Sequence, residues 1–205
     1  RDRSPSRGLG DVYKRQMSGW AVYQTLACRI LGRCSVYQSG GAFGFRDQLQ
    51  DAVNLILLDP NIAKQQILAC CRHQYLEGDV MHWWHSVGGA DKGVRTRCSD
   101  DLLWLVWALC EYVEKTGDAS ICQISEHYIS SKPLDSCEGD RYETPMRSDC
   151  AESVLMHAKR AVDCCAGRGT GSHGLLYFGS SDWNDGMSSV GNGGKGESVW
   201  VSWFM

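Results

Sequence analysis

Apolar side chains recur at helical spacing in several stretches of the chain. They stand three or four positions apart over residues 17–33, 49–57, 62–71 and 149–165. Residues at this spacing lie on one face of an α-helix, where they can be buried together. We therefore predict a helix over each of these stretches.

The ends of further helices carry recognisable signals. Ser99-Asp100-Asp101 precedes an apolar run that continues to Val113, and Gly117 follows that run. Acidic residues in a first turn suit the helix dipole, and glycine is common just past a helix end. Asp59-Pro60 ends one helix and starts the next. Two shorter helices complete the prediction, over residues 118–128 and from residue 197 to 205.

Long polar links separate these helices. Residues 34–45, 75–98 and 166–197 are rich in glycine and special residues, and residues 130–148 are polar with two prolines. We find no convincing alternating strand in them and predict loops. Helical hairpins whose long links all lie at one end give an all-α fold with the chemistry at that end.

Composition and charge exclude several classes of function. A formal net charge of -3 with no basic run argues against binding to nucleic acid or to a membrane surface. No apolar stretch approaches the roughly 20 residues that span a bilayer, and no signal-peptide pattern opens the chain. We therefore expect a cytoplasmic protein, or a cytoplasmic segment of a larger one.

The chain has 11 cysteines, an odd number that includes two adjacent pairs. Without a secretion signal, this pattern argues against a disulfide framework and favours small buried thiols. His82-x-x-His85 followed by Cys98 is an alternative metal-binding pattern. No Cys-x-x-Cys pair accompanies it, so we predict no metal.

Residues 1–16 differ from the rest of the chain. They are polar and basic and show no periodicity. We interpret them as a disordered segment translated from a cloning adaptor; the alternative is a disordered native tail. The folded domain is then expected over residues 17–205.

The segment 179–186, Gly-Ser-Ser-Asp-Trp-Asn-Asp-Gly, carries the most promising chemistry. Its glycines allow a tight turn, and Asp182, Trp183 and Asp185 offer a sugar two carboxyl groups and an indole face. The alternative is an Asx-rich turn around a half-buried tryptophan. Other segments of the chain decide between these interpretations.

Five blocks together resemble a known family. They are Gly-Ala-Phe-Gly-Phe-Arg-Asp-Gln-Leu-Gln-Asp (41–51), Glu-Gly-Asp-Val-Met-His-Trp-Trp-His (77–85), Gly-Val-Arg-Thr-Arg-Cys-Ser-Asp-Asp-Leu-Leu-Trp (93–104), Asp-Trp-Asn-Asp-Gly (182–186) and Gly-Lys-Gly-Glu-Ser-Val-Trp (194–200). The chain resembles the inverting β-glucoside phosphorylases of glycoside hydrolase family 94, formerly glycosyltransferase family 36. Within that family it looks most like the phosphorylase-like region of cyclic β-1,2-glucan synthases and β-1,2-oligoglucan phosphorylases. The resemblance implies that residues 17–205 are the N-terminal part of an (α/α)6 catalytic domain, a partial barrel truncated at both ends.

The resemblance also implies a reaction and roles for particular residues. Inorganic phosphate would attack the anomeric carbon of a β-glucoside and release α-glucose 1-phosphate. One acid suffices, because phosphate is already an anion and only the leaving oxygen needs a proton. On the family pattern Asp185 is that acid, Trp183 packs near the glucosyl ring, and Arg46 with Asp47 holds sugar hydroxyls. Without the resemblance, Arg46 and Asp47 could equally form an ion pair at a helix start.

Further candidates for substrate binding each have a structural alternative. Trp83 and Trp84 could stack on sugars or pack in the core, and His82 could bond a hydroxyl or hold the loop. Arg95 could face phosphate or neutralise Asp100 and Asp101. Asp182 could add negative charge near the acid.

The expected partners are a β-glucan or β-glucoside oligosaccharide and inorganic phosphate, with no cofactor. The family's phosphate-contacting residues are expected beyond Met205, so we expect the fragment to be inactive alone; a homodimer of the full-length protein is a further expectation. The alternatives are an inverting hydrolase on the same barrel and a non-catalytic glycan-binding module of a large, membrane-anchored synthase.

Overall fold

The computed structural model describes residues 5–32, 41–191 and 193–205. It contains two compact units, Arg1–Gly41 and Ala42–Met205. The first unit is helical from residue 5 to residue 31, with α1 (Pro5–Arg15), a π-helical turn (Gln16–Trp20), α2 (Ala21–Gln24) and a second π-helical segment (Thr25–Leu31). The predicted helix from residue 17 is therefore present, whereas helix α1 covers most of the segment that we expected to be disordered. Its adaptor origin stays a prediction. Most of the loop predicted at 34–45 lies outside the described residues.

Five helices form the framework of the second unit. They are α3 (Phe45–Val53), α4 (Pro60–Cys71), α5 (Leu103–Thr116), α6 (Val154–Gly167) and α7 (Val199–Phe204). Helix α5 packs against α3, α4 and α6. Leu49, Ile67, Leu105 and Ala161 are at most 1% exposed and form the core between these helices. Because α5 is central, the residues just before it are also deeply buried.

The predicted helix boundaries have clear physical causes. The Asp59 side chain accepts a hydrogen bond from the Asn61 amide at 3.0 Å, and Pro60 occupies the first helical position of α4. At the end of α5, Gly117 adopts a φ of 71° and its amide donates to the Val113 carbonyl. Both boundaries were predicted from the sequence.

The predicted all-α class, and with it the partial (α/α)6 barrel, is wrong for this chain. The structure is 46% helix and 23% strand and contains two antiparallel sheets, so it is a mixed α/β fold. One sheet has the order β1-β2-β3-β5 and the other pairs β4 with β6. The strands are β1 (Phe43–Gly44), β2 (Met81–Val87), β3 (Ala90–Thr96), β4 (Ser125–Ser130), β5 (Asp140–Glu143) and β6 (Met146–Ser153).

A glycine pair explains the main error. Gly88 and Gly89 have φ of 63° and 87° and join β2 to β3 in a two-residue hairpin, with Val87 opposite Ala90. Positive φ at both central residues is the geometry of the favoured hairpin turn, which Gly-Gly satisfies without strain. We had assigned these residues to a loop, although Gly-Gly between two aromatic and β-branched runs is a hairpin signal.

Strands β4, β5 and β6 correct two further predictions. The predicted helix over 118–128 is a 3-10 turn, Ala119–Gln123, followed by β4, and the predicted excursion over 130–148 contains β5 and the start of β6. Strand β4 lies between β6 and residue 75, which forms a bridge with Ile129. Segment 166–197 is largely irregular, as predicted.

Among the described residues, the helices lack the length and apolar character that crossing a bilayer requires.

Candidate active site

The loop 179–186 is fixed to the segment that precedes α5. The Ser99 amide and hydroxyl both donate to the Ser181 carbonyl, at 2.8 and 3.0 Å, and the Ser180 amide donates to the Arg97 carbonyl. Gly179 has a φ of 68°, and a Cβ there would lie 2.1 Å from the Arg97 oxygen. The turn therefore requires glycine at this position, as its backbone contact leaves no room for a side chain.

Asp182 and Asn184 shape the loop from within. Asp182 accepts hydrogen bonds from the Asn184 amide at 3.0 Å and from the Ser198 hydroxyl at 2.8 Å. Asn184 caps the 3-10 turn Asp185–Met187 by accepting from the Gly186 amide. Both carboxylate oxygens of Asp182 are thus engaged in holding the loop, which favours a structural role over the predicted contact with substrate.

Arg46, in the first turn of α3, is the centre of the site. Its side chain is only 6% exposed. One guanidinium nitrogen donates to Asp185 Oδ2 at 2.6 Å, and the other donates to the Asp182 carbonyl at 3.1 Å and to Asp100 Oδ1 at 3.2 Å. The structure therefore brings together Arg46 and Asp185, two residues 139 positions apart that we predicted to share a site.

Two buried carboxylates lie behind Arg46. Asp100 and Asp101 are at most 1% exposed. Asp100 Oδ2 accepts from the indole nitrogens of Trp104 and Trp200, at 3.0 and 3.2 Å. Burial raises the pKa of Asp100, and the neighbouring charge of Asp101 raises it further. From the sequence we predicted both acids to be first-turn residues of a helix. Their place in the site is created by contact with Arg46, which lies more than 50 positions earlier.

His82 connects this buried pair to the exposed acid. Its Nδ1 lies 2.6 Å from Asp101 Oδ2, and its Nε2 lies 4.0 Å from Asp185 Oδ2. Burial lowers the pKa of His82, but the charge and hydrogen bond of Asp101 outweigh this effect and the net pKa is raised. The side chain is 20% exposed, so it lies at the border between core and solvent.

Asp185 and Trp183 form the accessible edge of the site. The Asp185 side chain is 56% exposed and Trp183 is 55% exposed, and Asp47 is exposed one position after Arg46. Trp83 is half-buried and packs against Tyr142 with ring centroids 5.6 Å apart. An exposed indole beside an exposed carboxyl can contact the apolar face of a sugar and one of its oxygens at once.

Two predicted substrate-binding residues lie inside the protein. Trp84 is 3% exposed and stacks between His73 and Phe43, at centroid distances of 3.8 and 5.8 Å. Arg95 is 2% exposed, and two of its nitrogens each donate to Asp79 at 2.7 Å. These contacts match the structural alternatives: Trp84 packs in the core, and the charge of Arg95 is neutralised. The acids that neutralise Arg95 are Asp79 and Glu77 instead of Asp100 or Asp101.

The positive charge beside His82, Cys98 and Asp101 comes from Arg46, and we consider whether these residues could also hold a metal ion. His82, Cys98 and Asp101 bring potential ligand atoms within 4.8 Å of one another. However, an Arg46 nitrogen lies 3.6 Å from Asp101 and 3.8 Å from the Cys98 sulfur. Burial also raises the pKa of the Cys98 thiol well above its ordinary value, which disfavours the thiolate that a metal needs. We therefore assign no metal to these residues.

A cavity of about 570 Å³ lies beside the start of the loop. Its lining among the described residues includes Gly179, Ser180 and Arg95 but not Asp185, Arg46 or Asp47. The predicted acid thus faces solvent at the edge of the buried cluster and does not open into this cavity. Asp185, Arg46 and Asp47 therefore do not share this cavity.

The profile of the Glycosyl hydrolase 94 superfamily, catalytic domain, matches residues 10–205. The chain belongs to this family. The match begins at residue 10, inside the segment that we assigned to an adaptor. It agrees with the family proposed from the five sequence blocks.

Similar proteins in this family include a synthase and several phosphorylases. The chain is 42% identical to "Cyclic beta-(1,2)-glucan synthase NdvB" of Rhizobium meliloti (strain 1021), over 95% of this chain and 7% of that protein. It is 32% identical to "Solabiose phosphorylase" of Paenibacillus borealis, over 89% of this chain and 20% of that protein. It is 28% identical to "N,N'-diacetylchitobiose phosphorylase" of Vibrio proteolyticus, over 98% and 25%. The chain thus spans a quarter or less of these relatives.

Proposed function

We propose that the protein containing this chain is an inverting glycoside phosphorylase that acts on a β-linked glucan. Phosphate attacks the anomeric carbon of a β-glucoside, the glycosidic bond breaks, and α-glucose 1-phosphate and a shortened sugar are formed. Membership of the family and similarity to named phosphorylases support the reaction class. The similarity to a cyclic β-(1,2)-glucan synthase favours a β-1,2-linked substrate.

The observation that carries the proposal is the ion pair between buried Arg46 and exposed Asp185, at 2.6 Å. Asp185 is the proton donor to the leaving glycosidic oxygen. The Arg46 guanidinium donates a hydrogen bond to this carboxyl. A substrate whose hydroxyls or phosphate compete for Arg46 releases Asp185 from this pair. The carboxyl can then turn toward the leaving glycosidic oxygen and give it a proton.

The test measures products from β-1,2-glucooligosaccharides and inorganic phosphate, using the longest natural form of the protein. We expect α-glucose 1-phosphate to form, and ³¹P NMR detects it. Free glucose in its place indicates the hydrolase alternative. Sugar binding without turnover indicates a glycan-binding module.

Asp185→Asn keeps the size of the side chain but removes the acid. We expect it to lower kcat by roughly 10²–10⁴-fold, the usual contribution of a general acid. The matched control is Asp163→Asn, on the exposed face of α6, where the carboxylate pairs with Lys159. Equal turnover by both variants contradicts the role of Asp185.

A further inference from the structure

Three side chains are arranged in series between the core and the exposed surface. Asp101 lies at the buried end, His82 in the middle, and Asp185 at the outer end, with contacts of 2.6 and 4.0 Å. They come from the segment before α5, from β2 and from the loop 179–186. No sequence spacing joins them, so only the fold creates this arrangement.

Asp101 fixes the orientation of the imidazole. Its side chain is 2% exposed, and its Oδ2 accepts a hydrogen bond from His82 Nδ1. Its other oxygen has no hydrogen-bond partner among the described residues and lies 3.6 Å from Arg46. A carboxylate that holds one imidazole nitrogen determines the tautomer and direction of the ring. The second nitrogen, Nε2, is therefore free to exchange a proton in the direction of Asp185.

The position of His82 along β2 is also fixed. The pairing of β2 with β3 shifts register between Met81 and Trp83, on either side of this histidine. Such irregularities change the direction of a side chain from the one it would have in a regular strand. Within the described part of the chain, the only recorded partners of the imidazole are Asp101 and Asp185.

We propose that His82 is a positioning residue that returns the proton to Asp185 after each turnover. This step rests on the proposed function of Asp185 as proton donor. Once Asp185 has protonated the leaving oxygen, the imidazolium Nε2–H bond breaks and an O–H bond forms on Asp185 Oδ2. The neutral imidazole keeps its Nδ1–H bond, which donates to Asp101, and takes a proton from solvent at Nε2. Hydrogen phosphate releases one proton to solvent when it becomes the sugar phosphate dianion, so the cycle is balanced.

The charges that surround His82 suit this role. Asp101 and Asp185 favour the imidazolium, and Arg46 opposes it. The net pKa of His82 is raised, which increases the imidazolium population near neutral pH. The separation of 4.0 Å exceeds a direct hydrogen bond, so the transfer requires a small side-chain rotation or one bridging water molecule.

The first experiment does not depend on catalysis. Histidine resonances of the 205-residue chain are followed against pH by NMR, in the wild type and in Asp185→Asn and Asp163→Asn. We expect Asp185→Asn to lower the titration midpoint of His82 by about half a pH unit or more, since one unit charge near 4 Å is lost. Asp163→Asn leaves it unchanged. An unchanged midpoint in Asp185→Asn overturns the proposal.

The second experiment compares His82→Gln with His85→Gln in the phosphorolysis assay. His85 lies on the same strand, and its ring packs edge-on against Trp83. We expect His82→Gln to lower kcat roughly tenfold and to alter the pH dependence of kcat, whereas His85→Gln alters neither. Circular dichroism confirms that both variants are folded.

The outcomes separate the two proposals. If the wild type produces glucose 1-phosphate and His82→Gln keeps the wild-type pH profile, the role of His82 is wrong and the phosphorylase function stands. If the wild type produces none, the proposed function fails. The NMR shift then supports or refutes the coupling of His82 to Asp185 independently.

Discussion

Replacing Arg46 with methionine tests the electrostatic centre of the site. Methionine keeps much of the aliphatic length but removes the guanidinium, which holds Asp100, Asp185 and the Asp182 carbonyl and lies 3.6 Å from Asp101. Asp100 and Asp101 are then left as neighbouring buried carboxylates without their cation. Removing one partner of a buried ion pair costs about 3–5 kcal/mol of unfolding free energy. In a domain of this size, this lowers Tm by roughly 6–20 °C.

The cost depends on pH in a defined direction. Burial and the charge of Asp101 already raise the pKa of Asp100, and Arg46 opposes that rise. Without Arg46 the folded state binds protons more tightly than the unfolded state does, so stability falls as pH rises through the raised pKa. We therefore expect the difference between Arg46→Met and wild type to be largest at neutral pH and to shrink toward pH about 4, near the ordinary pKa of aspartate.

Urea unfolding of the 205-residue chain, followed by tryptophan fluorescence at several pH values, measures this effect. Arg72→Met is the matched control, because Arg72 is 47% exposed and pairs with Glu126 at the surface; we expect a loss of at most about 1 kcal/mol. The double variant Arg46→Met, Asp100→Asn should recover part of the loss, since it removes one uncompensated charge. If Arg46→Met is no more destabilising than Arg72→Met, the buried cluster does not depend on Arg46 and the reasoning is refuted.

Two further predictions concern the loop and the first sheet. Gly179→Ala should cost about 1–3 kcal/mol in urea unfolding, because the position has a φ of 68° and no room beside the Arg97 carbonyl, whereas Gly167→Ala, with open space around it, should be nearly neutral. Burial raises the pKa of Glu143, but hydrogen bonds from Ser131, Tyr75 and Arg141 outweigh it and lower the net pKa. Glu143 therefore stabilises the fold above its unfolded pKa, and this contribution is lost as pH falls through the lower, folded pKa. Stability curves against pH should show a shallower acid decline in Glu143→Gln, and an unchanged slope would contradict this assignment.

Sequence reasoning succeeded where the signals are local. The cap of α4 at Asp59 and the end of α5 at Gly117 follow from the intrinsic preferences of aspartate and glycine, and both are present. It failed for β2 and β3, where the hairpin signal of Gly88-Gly89 was available but was interpreted as part of a loop. It also failed for β4, whose pairing with β6 depends on a partner about 20 residues away.

The candidate site shows the same division. The motif around Asp185 pointed to the correct family, because the five blocks are specific in combination. Trp84 and Arg95 belong to two of the same blocks but are buried, at 3% and 2% exposure. A motif fixes residue types and their spacing, but it does not determine which side of a strand faces solvent.

The sequence by itself determined the family, the start of α4 after Asp59 and the end of α5 at Gly117, and it placed Arg46 and Asp185 among the candidate site residues. The tertiary structure alone decided that Asp100 and Asp101 lie behind Arg46, and that His82 connects Asp101 to the exposed acid. The physical reason is that helix caps depend on neighbours in the chain. The charge, burial and orientation of a side chain depend instead on residues brought together by folding from distant parts of the sequence.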